Sequence, residues 1–289
     1  MKQRSYVYFP GCNADQVSRH ISDCFRLVCE QLSIQLLDID TFSCCGGAAL
    51  QETNHHLGLL VNARNLAYAE RLGLDIITPD ATCYNMLERT RHELLQNEEE
   101  RNRINEKLAP YSLVFTGKSE AKTLLHALIF DFDLTFAVKQ SLDAFKTGAF
   151  YGCHTLRPRN ITLFDERDCY ALEQVMKSCG AQVVAYENRF ECCGLHVMNI
   201  DRTMTKNIIE ENVELAKKQE LDLLVTPCVL CSFSFESNQK KEGLPVLHLA
   251  QFLGLALGLS YEDCGLDRHM TDCKSIKQKL ELRQVQNFK

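Results

Sequence analysis

The stretch "DTFSCCGGA" (40–48) places two adjacent cysteines, Cys44 and Cys45, directly before Gly46 and Gly47. Adjacent cysteines rarely join to each other, because the ring that closes strains the backbone. The device returns as "FECCGLH" (190–196). Glycine lets the chain turn sharply behind each pair, so both sulfurs can be aimed at one metal centre.

Around the two pairs the chain repeats itself. "VYFPGC" (7–12), "CCGG" (44–47) and "IITPDATCYNM" (76–86) are followed in the same order by "AFYGCH" (149–154), "CCG" (192–194) and "LLVTPCVLC" (223–231). Cys12 is separated from Cys44 by 31 residues and Cys153 from Cys192 by 38; Cys45 is separated from Cys83 by 37 and Cys193 from Cys228 by 34. The offset between the halves is 141 to 148 residues. This is a duplicated module.

Each module predicts the same elements. A short apolar strand ("SYVYF"; "GAFYG") ends at the first cysteine. A helix follows (14–32; about 165–179), then a strand ("IQLLDI"; "AQVVAY") leading to the cysteine pair. A long amphipathic helix (57–72; 203–219) ends near strand-like "GLDIIT" or "ELDLLVT". Strands alternating with helices predict parallel pairing with crossover helices. The expected class is α/β, with two pseudo-symmetric Rossmann-like parallel-sheet modules. All cysteine stations then fall at carboxyl ends of strands, where open α/β sheets bind ligands. The expected divisions are a first module at 1–92, a helical linker at 93–147, a second module at 148–260 and a helical tail at 261–289. Within the linker, 92–112 reads as a charged, solvated helix with Leu94, Leu95, Ile104 and Leu108 on its apolar side, and 119–146 as further helix.

Composition narrows the function. A formal charge of -6 and a pI near 5.9 argue against nucleic acid as a partner, since phosphate binding needs concentrated Lys and Arg. The opening "MKQRSYVYFPGC" carries no apolar segment of signal-peptide length. The apolar run "PVLHLAQFLGLALGL" (245–259) is too short to span a bilayer. No transmembrane segment is expected. The expected location is the cytoplasm, with peripheral membrane attachment through a partner compatible with it. Fifteen cysteines without a secretory signal then read as metal ligands or redox groups, because cytosolic thiols stay reduced. The first module offers Cys12, Cys44, Cys45 and Cys83; the second offers Cys153, Cys192, Cys193, Cys228 and Cys231. Four thiolates suit a [4Fe–4S] cluster or a zinc ion. Five exceed zinc's usual needs and favour a cluster in the second module.

The cysteine pattern, with "YGCHTLRP" (151–158), "ECCG" (191–194), "TPCVLC" (226–231) and the 245–259 run, resembles the duplicated CCG domain of the catalytic heterodisulfide reductase B subunit over nearly the whole chain. The resemblance implies a noncubane [4Fe–4S] cluster on Cys153, Cys192, Cys193, Cys228 and Cys231. It implies a second centre on Cys12, Cys44, Cys45 and Cys83. The sequence departs from the pattern at Met86, where the second cysteine of CxxC is expected. A thioether carries no charge and cannot replace a bridging thiolate. The first module is therefore expected to hold an ordinary [4Fe–4S] cluster, a modified centre or zinc. The implied activity is reduction of a disulfide, or oxidation of a thiol or persulfide, as in the heterodisulfide reductase-like complexes of sulfur oxidisers that work with lipoate-binding proteins. The alternative is an electron-relay or zinc-containing CCG subunit of a fumarate/succinate, glycolate or lactate oxidoreductase. The chain has no G-x-G-x-x-G flavin fingerprint and no ferredoxin-type CxxCxxC, so electrons must pass through partners: a ferredoxin-like iron–sulfur subunit and a flavoprotein subunit.

Other residues have two readings each. His154, beside Cys153, is placed to donate a proton to a departing thiolate or to bond the backbone near the cluster, and His196 stands the same way. Arg157 and Arg159 suit an anionic substrate tail or a plain surface role. "NHH" (54–56) reads as solvated helix capping. Cys24, Cys29, Cys169 and Cys179 read as small buried apolar residues. Cys264 and Cys273 flank His269, a set that lacks a further ligand for zinc.

Overall fold

In the computed structural model, residues 4–13, 16–132, 137–162, 164 and 169–287 are described. The first module opens with β1 (Arg4–Tyr8), α1 (Arg19–Gln31) and β2 (Ile34–Asp38). After the cysteine pair come α2 (Gly47–Thr53), α3 (His55–Leu72), β3 (Ile76–Thr78), α4 (Ala81–Gln96), α5 (Glu98–Leu108), β4 (Ala121–Thr123) and α6 (Leu124–Phe130). The second module runs β5 (Lys146–Ala149), α7 (Cys153–Leu156), α8 (Ala171–Ser178), β6 (Gln182–Val184), α9 (Arg202–Lys218), β7 (Leu223–Thr226), α10 (Val229–Asn238), β8 (Val246–His248) and α11 (Leu249–Ala256). Helix α12 (Lys274–Asn287) follows.

Two four-stranded sheets result, ordered β2-β1-β3-β4 and β6-β5-β7-β8. Every pairing is parallel, as the α/β alternation predicts. In both sheets the chain crosses outward on one side of the first strand and then returns to the other. A crevice opens at that switch point, beyond the carboxyl ends of β1 and β3 or of β5 and β7. Cys12 follows β1, Cys83 lies in the first turn of α4 after β3, Cys153 begins α7 after β5 and Cys228 caps α10 after β7.

The fourth strands, β4 and β8, differ from the expected continuous helix and apolar run. Each is three residues long and passes straight into a helix. Thr123 and His248 are the N-caps, each in a capping box, with His126 and with Gln251. The capping residue ends the strand and begins the helix at one position, so no turn separates the two in sequence. The charged 92–112 stretch is split by Asn97, which caps α5. Leu94, Ile104 and Leu108 are buried, whereas Leu95 is exposed. The first expected helix is shorter than read, and residues 14–15 and 165–168 of the expected pair lie outside the described residues.

The modules share a core. Helix α1 of the first packs on α11 of the second, and α6 packs on α8. Cys24, Phe25, Val28, Leu124 and Leu128 join Leu172, Val175, Phe252 and Leu253 in one buried cluster. Each Leu or Phe sealed this way contributes about 1.5–3 kcal/mol relative to exposure. That seam fixes one cysteine crevice against the other. Among the described residues no helix is long and apolar enough to cross a membrane.

Candidate iron–sulfur centres

The cysteine pairs sit on left-handed glycine turns. Gly46 has φ 79° and Gly194 φ 71°, and a side chain at Gly46 would meet Leu50 Cβ at 2.5 Å. The turn points the backbone N–H of Gly46 at Cys44 Sγ (3.4 Å) and that of Gly194 at Cys192 Sγ (3.3 Å). An amide aimed at sulfur favours thiolate, so the same device prepares a ligand in each module. Helix α3 anchors the first turn with two buried amides. Asn62 donates to the Cys45 carbonyl at 3.0 Å, and Asn65 donates to Ser43 O at 2.9 Å while accepting from Ser43 N at 3.1 Å. In the second module Ser234 donates to the Cys193 carbonyl at 2.8 Å and Thr205 to the Gly194 carbonyl at 2.9 Å. Sequence reasoning missed these anchors, because single Asn, Ser and Thr residues on helices carry no distinguishing spacing.

All nine expected sulfur donors gather in two groups. In the first, Cys45 and Cys83 sulfurs are 3.5 Å apart, Cys44 bonds both Cys45 and Cys12, and Cys12 is exposed at the mouth. In the second, Cys153 and Cys192 sulfurs are 3.9 Å apart, Cys193 lies beside Cys192 and Cys231, and Cys231 lies beside Cys228. Burial pushes Cys12 up to about 11. The hydrogen bond with Cys192, then burial, raises Cys153, while Cys153 and Cys193 together pull Cys192 well down.

The structure corrects the expected fifth position. Thr78-Pro79-Asp80 and Thr226-Pro227-Cys228 are equivalent turns, 148 residues apart. Asp80 caps α4 with φ -111° and ψ 118°, and Cys228 caps α10 with φ -125° and ψ 119°. In each turn the threonine hydroxyl accepts from the capping residue's N–H, at 3.2 Å and 3.4 Å. Cys83 is therefore the counterpart of Cys231, three residues into the helix, and Asp80 stands where Cys228 stands. Met86 is one turn further along α4, fully buried. The expected spacing aligned Cys83 with Cys228, and the Thr-Pro turn shows the register to be shifted by three. Asp80 is 4% exposed. Its Oδ1 accepts from Thr82 N at 2.6 Å and Cys83 N at 3.4 Å, and its charge acts on both Cys12 and Cys83.

The two centres meet at the seam. Thr82 Oγ1, beside Cys83, and His154 Nδ1, beside Cys153, are 2.9 Å apart, so His154 bonds a side chain of the other module rather than backbone. Its ring lies 5.0 Å from that of His196. Burial, then His196, lowers His154 to about 4, leaving it neutral. Asn85 of α4 donates to the carbonyls of His154 (3.0 Å) and Arg157 (2.6 Å). His248, inside the apolar 245–259 run, donates from Nε2 to Pro79 O at 2.9 Å and so ties β8 to the first module's turn. Arg157 Nη2 reaches Phe190 O at 3.5 Å, and Arg159 is exposed. Asn54 caps α3, while His55 and His56 meet Glu93 and Glu100 at the surface, as solvated capping predicts.

The cysteine-rich CCG domain model matches residues 6–88 and 147–236. The chain is 34% identical to the 8-methylmenaquinol:fumarate reductase membrane anchor subunit of Wolinella succinogenes, over 95% of this chain and 99% of that protein. It is 30% identical to a heterodisulfide reductase B-subunit-like protein of Archaeoglobus profundus, over 89% of this chain and 92% of that one. It is 27% identical to the B subunit of the ferredoxin:CoB-CoM heterodisulfide reductase of Methanosarcina mazei, over 90% and 92%. A crystal structure of a hypothetical protein from Helicobacter pylori superposes with a TM-score of 0.77 at 20% identity. The match covers 93% of this chain and about half (52%) of that one, and speaks for the fold. With both cysteine modules matched and full-length relatives at this identity, the chain belongs to the duplicated CCG cysteine-rich family that includes the heterodisulfide reductase B subunits.

Proposed function

We propose that this chain is an iron–sulfur electron-transfer subunit of an oxidoreductase complex, with two unlike centres. Cys153, Cys192, Cys193, Cys228 and Cys231 would hold a noncubane [4Fe–4S] cluster. Cys12, Cys44, Cys45 and Cys83 would hold an ordinary [4Fe–4S] cluster, with the Asp80 carboxylate beside it. The carrying observation is the replacement of Cys228 by Asp80 in otherwise equivalent turns. Five sulfurs exceed what one zinc ion takes, and four suit a cubane. Such clusters exchange single electrons, the chemistry that thiols alone do not supply. The protein's own part is to hold the sulfurs with glycine turns, to aim Gly46 and Gly194 amides at them, and to keep His154 and His196 between the two groups. His154 is then within one residue of Cys153 for proton delivery, with Thr82 fixing its ring.

The partners in this reading are a ferredoxin-like iron–sulfur subunit and a flavoprotein subunit, and attachment to a membrane would come through the complex. The similarity along the whole Wolinella succinogenes protein favours a fumarate reductase-type complex. A second reading has its own support in the five-thiol second centre and the Archaeoglobus profundus relative. There the second centre would cleave a disulfide, or oxidise a thiol, persulfide or lipoate-bound sulfur.

Anaerobic purification with iron, zinc and acid-labile sulfide counted per chain, followed by EPR of the oxidised protein with and without thiol, tests both. About eight irons with matching sulfide are expected. A signal that changes on adding thiol selects sulfur chemistry, and an unchanged one selects electron transfer alone. Zinc without labile sulfide would overturn both readings.

A further inference from the structure

Glu88 and Glu236 occupy equivalent positions, 148 residues apart, on the helices that follow Cys83 and Cys231. Their surroundings differ. Glu88 accepts from Ala121 N at 2.6 Å and pairs with Arg91 at 3.2 Å. Glu236 is equally buried, yet faces His269 Nδ1 directly, and only Met270 N–H approaches its other oxygen, at 3.4 Å. His20, from α1 of the first module, is 7% exposed and sets its ring 5.0 Å from that of His269. His20 Nε2 is buried without a hydrogen-bond partner, and it lies beside Glu236 Oε1 and His269 Nδ1, which face each other and have no further partner. A buried imidazole nitrogen with no partner, set beside a buried carboxylate and a second imidazole, calls for an explanation.

The Glu236 charge has no cation of its own among the described residues. Arg268 is paired with Asp23 at 3.0 Å. A doubly protonated His269 is excluded by Gln251. That amide takes His248 N–H on Oε1 at 3.0 Å and donates from Nε2 to Cys264 O at 2.9 Å, which sets its orientation in this structure. Its remaining N–H points at His269 Nε2, 2.8 Å away, so Nε2 accepts and bears no proton.

We propose that His20, Glu236 and His269 form a zinc site at the seam of the two modules, separate from the cysteine centres. One ligand atom from each residue lies within 4.8 Å of the other two. Two imidazoles and a carboxylate are a zinc ligand set, with a fourth position for water. Burial, then His269, lowers His20 to about 4, which keeps it a neutral ligand. A cavity of about 320 Å³, lined by Asp267, Asp272 and Cys273 and by Lys241, Lys274 and Lys277, lies against His269. The ion would pin α1, α10 and the segment before α12, three parts of the chain that no covalent link joins. Zinc at Nδ1 moves the remaining His269 proton to Nε2, so binding requires the Gln251 amide to turn its oxygen toward that proton and give up its bonds to His248 N–H and Cys264 O. Gln251 therefore sets affinity, as outer partners of metal-bound histidines do. Cys264 and Cys273, which flank His269 in the sequence, are not needed: Cys264 lies beside Cys24, and His20 and Glu236 supply the other ligand atoms.

The test uses the anaerobically purified holoprotein. Zinc per chain and zinc-edge X-ray absorption are measured for the wild type, Glu236→Gln and Gln251→Glu. About one zinc per chain with only nitrogen and oxygen neighbours is expected, reduced at least about tenfold in Glu236→Gln with iron and labile sulfide unchanged. Gln251→Glu offers Nε2–H a carboxylate and is expected to hold zinc against chelator more tightly than wild type. Sulfur neighbours around the zinc would move it to a cysteine centre and overturn the site. So would equal zinc in wild type and Glu236→Gln, or a Gln251→Glu variant that loses zinc faster. None of these outcomes depends on how the clusters are assigned.

Discussion

The two modules run the same backbone to different ends. Strand order, left-handed glycine turn, Thr-Pro turn and helix cap coincide, yet the cap is Asp80 in one and Cys228 in the other. The same holds about two turns later, where Glu88 finds Arg91 and Glu236 finds two histidines. A duplicated fold keeps its hydrogen-bonding frame because losing it unfolds a crevice, whereas a cap side chain can change with little cost to the frame. Asp is itself a preferred N-cap and satisfies the Thr82 and Cys83 N–H groups, so the exchange removes a sulfur while strengthening the cap. What distinguishes the centres is thus one donor atom.

The largest effect expected from breaking this symmetry is at Cys228. Cys228→Ser should cost the second centre its cluster, lowering iron by about four per chain, while Asp80→Asn should leave iron unchanged. Iron and sulfide analysis of both variants checks this, and equal losses would deny the difference between the modules.

A smaller contrast lies in the glycines before Cys12 and Cys153. A side chain at Gly152 would sit 2.6 Å from Cys231 Sγ, and one at Gly11 would sit 3.1 Å from Cys83 Sγ. Both have positive φ, so alanine at either costs about 1–3 kcal/mol through the backbone alone. Gly152→Ala should cost more and also displace a donor. Thermal unfolding beside cluster content reads both, and a milder Gly152 variant would be inconsistent with the packing described.

The smallest effect is a pH dependence carried by Glu88. Burial pushes its carboxyl up to about 7 from 4.5. The folded state then holds a proton that the unfolded state has lost between those values, so stability falls as pH rises through that window. Glu88→Gln should flatten this part of the profile. Denaturant midpoints across pH 4.5 to 7 measure it, and an unchanged slope would assign the dependence elsewhere.

Much of this was legible in residues alone. The paired cysteines, their glycines and the repeat located both crevices, because strand ends and sharp turns have local chemical signatures. The short strands β4 and β8 were not legible, since Thr123 and His248 serve as strand end and helix cap at once. The register of the fifth donor was misread because cysteine spacing was followed in place of the Thr-Pro turn that sets the helix start. The grouping of His20 with Glu236 and His269 has no sequence signal: it exists only once α1 is packed across the seam. Asn62, Asn65 and Thr82 were overlooked for the same reason, their roles being defined by partners distant in the chain.

The most direct measurement compares EPR and Mössbauer spectra of wild type and Asp80→Cys, purified anaerobically with iron counted. If one donor separates the centres, the wild type shows two unlike clusters. The variant converts the first toward the second, at constant iron. Two unlike clusters that remain unaltered in Asp80→Cys would contradict the assignment of Asp80 to the place of Cys228.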